Sequence, residues 1–142
     1  IALALKAAEM GMLVFGTLHT NSAAKTIDRL IDVFPADEQP QARLSLADSL
    51  AAIVAQLLVP RAGGAGRVAV HEILLKTPAL PNLIRESSIS MLTNLMQAGR
   101  SEGMQLLDDA LLDLVTRKIV TPRDAYMKAS DKSRFEPLLE GE

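Results

Sequence analysis

The 142-residue sequence predicts a mostly helical α/β protein, in which a few strands are followed by an all-helical region. Three observations support this prediction. An apolar run at 12–18 gives way to a polar turn and then to apolar residues at helical spacing. The glycine-rich segment 61–67 lies between two apolar runs, which indicates a hairpin turn. From Thr77 onwards, every periodic segment has the spacing of a helix.

The first half begins with a predicted helix over 1–9, a strand over 12–18 and a helix over 22–33. Val14 and Phe15 favour the strand, because β-branched and aromatic side chains suit an extended backbone. Thr20, Asn21 or Ser22 can cap the helix that follows, since their side chains accept bonds from free helical N–H groups. That helix carries apolar residues at helical spacing at Ile27, Leu30, Ile31 and Phe34.

A longer helix is predicted over 37–57, followed by strands over 57–60 and 67–75. Five apolar residues fall on one face of that helix: Leu46, Leu50, Ile53, Val54 and Leu57. The later helices are predicted over 78–86, 88–98, 103–117 and 122–129. Two of them begin at Pro78 and Pro122, each preceded by a threonine suited to cap a helix.

The predicted domains are residues 1–76, the sheet edge of a nucleotide domain, and 77–129, a helical C-terminal subdomain. Residues 130–142 are polar and have no period, so we expect a flexible tail.

Composition narrows the class of protein. A hydrophobic content of 49% supports a buried core, and the net charge of −2 with mixed signs makes nucleic acid an unexpected partner. The absence of cysteine excludes disulfides and cysteine-ligated metal. The apolar stretch 51–59 is interrupted by Gln56 and is too short to cross a bilayer, so we expect no membrane insertion.

His19 is the first candidate for chemistry, because it lies where the predicted strand gives way to the polar turn. Ligands of open α/β sheets bind beyond the carboxyl ends of strands, and free N–H groups at a helix start attract anions. The turn is therefore a plausible neighbour of a phosphate. Taken alone, the pattern favours a hydrogen-bonded structural histidine, and both interpretations stay open.

The strings GMLVFGTLHTNSAAKTIDRLIDVFPADEQ, GGAGRVAVHEILLKTPALPNLIRE and GMQLLDDALLDLV add a second kind of information. The first resembles the histidine box of the type II/type IV secretion ATPase superfamily, particularly its PilT-type pilus-retraction motors. The other two resemble a retraction motif and a late helix of the same family. The resemblance covers nearly the whole chain, to about Ala129.

This resemblance implies part of a RecA-like, hexameric motor ATPase that couples ATP hydrolysis to type IV pilus retraction and twitching motility. It assigns His19 a catalytic contact with the γ-phosphate or the nearby water, with Thr17, Thr20 and Asn21 completing the nucleotide-binding turn. Asn82, Arg85 and Glu86 would form the partner surface of the retraction motif. The complete protein would use ATP and Mg²⁺, and would work in the cytoplasm against an inner-membrane pilus platform protein.

The sequence departs from the family at two positions. Met12 stands where the family has the first histidine of its box, and Pro81 replaces the first arginine of the retraction motif. A phosphate loop, Gly-x-x-x-x-Gly-Lys-Ser/Thr, does not occur in the 142 residues, and the chain begins at Ile1 inside a predicted helix. We therefore expect a fragment that neither holds a nucleotide nor hydrolyses ATP by itself.

Several alternatives stay open. The segment PALPNLIRE favours a retraction motor and Pro81 weakens that inference, so the alternatives are a pilus assembly or type II secretion motor of the same superfamily, or a non-enzymatic helical interaction module. His71 and Glu72 are adjacent strand residues that face opposite sides, so no metal site is predicted there. Asp108, Asp109 and Asp113 are interpreted as a solvated helix face. Two apolar stripes are assigned to the core: Met91 with Leu95, and Met104 with Leu107 and Leu111.

Overall fold

The computed structural model describes residues 1–139 as helices packed around one two-stranded antiparallel sheet. The first part of the chain contributes helices α1 (Ala2–Glu9), α2 (Ala23–Asp32) and α3 (Gln39–Ser49) and strands β1 (Ala52–Pro60) and β2 (Arg67–Leu75). The later part contributes α4 (Leu80–Arg85), α5 (Leu92–Ala98), α6 (Leu107–Thr116), α7 (Pro122–Lys128) and α8 (Glu136–Leu139). Short 3-10 helices cover Ile89–Met91, Gly99–Glu102 and Lys132–Arg134.

The predicted hairpin is confirmed. Strands β1 and β2 pair in antiparallel register with Gln56 opposite His71, and the Arg61 amide closes the loop on the Gly66 carbonyl at 3.1 Å. Gly63, Gly64 and Gly66 all have positive φ, a conformation that glycine adopts without steric cost. The glycine-rich segment is therefore a turn, and its backbone angles explain its composition.

The predicted helix over 37–57 is wrong beyond Ser49. Helix α3 ends there, Leu50 has an extended backbone (φ −62°, ψ 121°), and β1 begins at Ala52. Along β1, Ile53, Ala55 and Val59 are buried whereas Val54 and Leu58 are exposed, which is the alternation of a strand. The apolar residues fit both periods, and pairing with β2 decides between them.

The predicted strand over 12–18 is also absent. This segment is an exposed loop without regular secondary structure, in which Leu13 is 79% and Phe15 is 89% exposed. A strand requires a neighbour to satisfy its backbone ladder, and no strand of residues 1–139 pairs with this segment. The expected buried strand is therefore an unpartnered apolar surface here.

The two proline-based helix starts differ. Helix α7 begins at Pro122, and the Thr121 hydroxyl accepts the Asp124 amide at 3.1 Å, as predicted. Helix α4 begins at Leu80 rather than Pro78, and the buried Thr77 hydroxyl oxygen has no hydrogen-bond partner among residues 1–139. The predicted helix over 103–117 begins late, at Leu107, because Gln105 is extended and exchanges backbone bonds with Ile73.

Two clusters of buried side chains form the core. One lies between α2, α3, α4, α5 and the sheet, and the other between the sheet, α6, α7 and Phe135. Both clusters contain residues from before and after the boundary predicted near Thr77. That boundary therefore marks a change of secondary structure within a shared core.

Residues 130–139 differ from the predicted flexible tail. They form the 3-10 helix Lys132–Arg134 and α8, and Phe135 is 0% exposed. Residues 140–142 of the predicted tail lie outside the described residues. None of the helices within residues 1–139 is long and apolar enough to span a bilayer.

Candidate functional site

The turn that precedes α2 exposes the side chain of His19 to solvent, directly after the irregular segment 12–18. Thr17 is exposed on the same loop. No hydrogen bond to another residue in the range 1–139 holds either side chain. Both groups are therefore available to a ligand, and the imidazole is not sealed within apolar packing.

Thr20 and Asn21 have contacts within the protein. The Thr20 hydroxyl lies 2.7 Å from the hydroxyl of Thr26, which is buried, and the Asn21 side-chain oxygen accepts a bond from Lys25 Nζ at 3.3 Å. Ser22 caps α2 by accepting the Lys25 amide at 3.2 Å. These contacts fix the turn to α2. Of the four side chains assigned to nucleotide binding, Thr20 and Asn21 form hydrogen bonds within residues 1–139, and Thr17 and His19 do not.

The start of α2 already holds an anionic group. The amide of Ala23, the first residue of the helix, donates to Glu72 Oε1 at 2.7 Å. Free N–H groups at a helix start favour negative charge, and here a carboxylate of the same chain takes that place. A phosphate at this turn would therefore depend on the side chains, chiefly His19, rather than on this helix terminus.

Glu72 was not singled out from the sequence as a site residue. It lies on β2 and is 8% exposed, and its second oxygen accepts the amide of Leu107, the first residue of α6, at 3.3 Å. Its neighbours on the same strand face, Val70 and Leu74, are both buried. An acid at an apolar position of a half-buried strand is the signal that could have drawn attention to it.

His71 and Glu72 do face opposite sides of the sheet, as predicted. His71 Nε2 lies 2.9 Å from Gln56 Oε1 on the outer face, across the strand pair. A cavity of about 350 Å³ beside this face is lined by His71, Arg100 and Asp109 among others. His19 does not line it, so the two histidines of the chain lie in different environments.

The three side chains assigned to the retraction motif are exposed on or beside α4. Arg85 forms an ion pair with Asp48 of α3 and donates to Asn82 Oδ1 at 3.3 Å. Glu86 follows the helix as its C-cap. The opposite face of α4 buries Leu80 and Ile84, which fixes the orientation of this polar surface. The three side chains thus lie on one exposed region at α4.

Pro81 occupies the second position of α4. Amides in the first turn of a helix have no intrahelical acceptor, so proline there removes no helical hydrogen bond. The departure from the family motif therefore removes a positive charge from this surface without disrupting the helix.

The prediction that Asp108, Asp109 and Asp113 form a solvated face of α6 is wrong for two of the three residues. Asp108 is 7% exposed and accepts the amides of Ser130 and Asp131, each at 2.8 Å. Asp109 forms ion pairs with Arg100 and Arg134. Asp113, in contrast, is exposed and pairs with Arg117, as a solvated residue would. Two of the three acids therefore anchor neighbouring segments.

The environment of Asp109 changes its acidity. Burial raises the pKa of this carboxyl, but hydrogen bonds and charge attraction from Arg100 and Arg134 outweigh burial, and the pKa is lower than that of a free aspartate.

The core stripes are confirmed at Met104, Leu107 and Leu111, whereas Met91 is 48% exposed and does not belong to the core.

The fold agrees with comparisons to known proteins. The family model of type II/IV secretion system proteins matches residues 1–125, and the chain belongs to this family.

Within the family, the chain is 50% identical over 135 residues to the type IV pilus retraction ATPase PilT of Pseudomonas aeruginosa. It is 49% identical over 131 residues to a twitching motility protein of Neisseria gonorrhoeae. These alignments cover 95% and 92% of this chain, but 39% and 35% of the relatives. The chain thus spans less than half the length of the relatives it matches.

Solved structures give the same result. A crystal structure of the pilus retraction motor PilT with bound ADP superposes with a TM-score of 0.82 at 40% identity, covering 96% of this chain and 38% of that one. The ATPase DotB of Legionella pneumophila superposes with a TM-score of 0.72 at 25% identity, covering 89% of this chain and 34% of that one. The arrangement of helices around the hairpin is therefore the arrangement found in this family of motors.

Proposed function

We propose that this chain is part of a hexameric motor ATPase that couples ATP hydrolysis to type IV pilus retraction, and that His19 contacts the γ-phosphate or the water beside it. The observation that carries the proposal is the exposed imidazole of His19 on a turn fixed to α2. The similarity to PilT supports the retraction class.

The turn suits a phosphate better than a metal ion. An imidazole N–H and the Thr17 hydroxyl can both donate to phosphate oxygens, whereas residues 17–22 contain no carboxylate for Mg²⁺. In the proposed assembly, Mg²⁺ and most of the phosphate contacts come from other parts of the complete protein. Within this chain, His19 would donate to the γ-phosphate or orient the attacking water, with Thr17 beside it.

Asn82, Arg85 and Glu86 are proposed as the surface that transmits movement to a partner at the inner-membrane platform of the pilus. Their exposure, and the Arg85 ion pair with Asp48, support a surface held in place by α3. Helices α3 and α4 pack in the same core cluster as α2. A displacement of the histidine turn could therefore reach this surface through packed helices.

The test uses the complete protein and the two histidines of the chain. We expect His19→Ala to lower ATP turnover about 100-fold, because one contact to the transferred phosphate is lost. His71→Ala is the matched control, since His71 bonds Gln56 on the outer sheet face, and its turnover should stay within about twofold of the unchanged protein. Unchanged turnover in His19→Ala would reject the catalytic role.

The direction of the motor needs a separate experiment. We expect cells that lack the complete protein to carry too many pili, because extension continues without retraction. Cells without pili would instead indicate an assembly motor, which the 31% identity to the pilus assembly ATPase PilB of Pseudomonas aeruginosa keeps as the second candidate.

A further inference from the structure

We propose that Glu72 is the positioning residue of the histidine turn, and that its carboxylate makes the orientation of His19 depend on the C-terminal helices. This inference rests on the proposed role of His19. It concerns a buried acid that the proposed chemistry does not otherwise use.

The first step is the geometry of the carboxylate. Its two oxygens accept from two different helices, Oε1 from Ala23 of α2 at 2.7 Å and Oε2 from Leu107 of α6 at 3.3 Å. Each donor is the first residue of its helix. One side chain on β2 therefore fixes the starts of two helices relative to each other and to the sheet.

The second step is the cost of burying this group. An ionised carboxylate that is 8% exposed is stable only when hydrogen bonds replace its water. Both helix starts supply N–H groups with partial positive charge, one to each oxygen, so the carboxylate is fully satisfied only while both helices are in place. A leucine or valine would fill this strand position without that requirement. The acid thus makes the packing of α2 depend on that of α6.

The third step connects Glu72 to His19. Ala23 follows the Ser22 cap, and the turn before it is fixed to α2 by the Thr20 to Thr26 contact of 2.7 Å. His19 has no comparable contact of its own within residues 1–139. Its position therefore follows from that of the first turn of α2, which Glu72 holds.

The experiment compares Glu72→Gln with Asp108→Asn in the complete protein. Glutamine keeps the shape, but it has an oxygen at only one of the two positions, so at one helix start its NH2 group faces a backbone N–H that has lost its acceptor. Asp108→Asn is a matched control, because Asp108 is 7% exposed and also accepts two backbone amides, from Ser130 and Asp131. Its bonds lead to the chain after α7 and not to the histidine turn.

We expect Glu72→Gln to lower kcat about tenfold while KM for ATP stays within about twofold, because His19 is misplaced and the other phosphate contacts are not. Asp108→Asn should leave kcat within about twofold. In a His19→Ala background, Glu72→Gln should lower kcat further by less than about twofold, since a positioning residue has no effect once its target is gone.

Three results would overturn the inference: unchanged kcat in Glu72→Gln, the same fold loss with and without His19, or an equal loss in Asp108→Asn. A merely structural role predicts the second and third of these. If His19→Ala itself leaves turnover unchanged, the proposed function and this inference both fail, whereas a loss in His19→Ala without coupling to Glu72 rejects this inference alone. Should Glu72→Gln not assemble, Glu72→Asp, which keeps both oxygens but shortens the reach, is judged by the same criteria.

Discussion

Asp108 accepts the backbone amide of Ser130 through Oδ1 at 2.8 Å, so a side chain in the first turn of α6 anchors the segment that follows α7. Its other oxygen accepts the Asp131 amide at the same distance. This contact explains why a polar, aperiodic stretch of sequence is packed against the protein through Phe135 rather than extended into solvent.

Asp108→Asn is expected to loosen residues 130–139. Replacing one oxygen by an amide group leaves a partly buried N–H without its acceptor, which costs about 1 kcal/mol. Hydrogen exchange of the complete protein should therefore rise in peptides that cover 130–139. Asp113→Asn is the control, because Asp113 lies on the same helix but is exposed. Equal exchange in both variants would contradict the anchoring role.

The two ion pairs of Asp109, with Arg100 and with Arg134, predict a contribution to stability that is lost in acid. Since the pKa of Asp109 is lowered in the folded protein, its ion pairs with Arg100 and Arg134 stabilise the fold fully above the unfolded pKa of about 3.9. That contribution is lost as the pH falls further, through the lower folded pKa. Unfolding measured by denaturant between about pH 2 and pH 6 should show a smaller loss of stability on acidification in Asp109→Asn than in the unchanged protein. Parallel profiles would contradict this prediction.

Two valines of β1 test which face of this strand is buried. Val59 is 0% exposed and Val54 is 62% exposed on the same strand. We expect Val59→Ala to lower the free energy of unfolding by about 1.5–3 kcal/mol, through lost burial and a cavity. Val54→Ala should change it by less than about 0.5 kcal/mol. Equal losses at both positions would contradict the strand register, and thermal or denaturant unfolding measures both.

The proline of α4 should matter little to folding. Pro81→Ala is expected to change the free energy of unfolding by less than about 1 kcal/mol, because no helical bond depends on the amide at this position. Ile84→Ala, on the buried side of the same helix, should cost about 2–5 kcal/mol. A large effect of Pro81→Ala together with a small one of Ile84→Ala would show that α4 is oriented differently.

Much of the fold followed from local pattern. Helix α2 and its end before Pro35, the hairpin at the glycine-rich loop, and the start of α7 at Pro122 all depend on neighbours within a few residues. Capping, turn geometry and helical spacing act over that range, so the residues themselves contain the necessary information.

The secondary-structure predictions are wrong where residues far away in the sequence determine the local conformation. The apolar spacing of residues 52–57 is compatible with a helix, but backbone pairing with β2 makes this segment a strand. The composition of residues 12–18 is typical of a strand, but no strand among residues 1–139 pairs with this segment. Thr77 resembles a cap as closely as Thr121 does, yet the following chain turns into α4 only at Leu80. In each case the local pattern permitted two structures.

The candidate site also contains one residue that local sequence could predict and one that only the tertiary structure reveals. By itself the sequence determined that His19 lies on a polar turn before a helix, because the turn and helix-capping signals are local. The tertiary structure alone decided that Glu72 fills the starts of α2 and α6, since those amides are 49 and 35 residues away from it along the chain. A buried charge is stable only beside donors that the fold brings to it, and no local sequence pattern records where those donors come from.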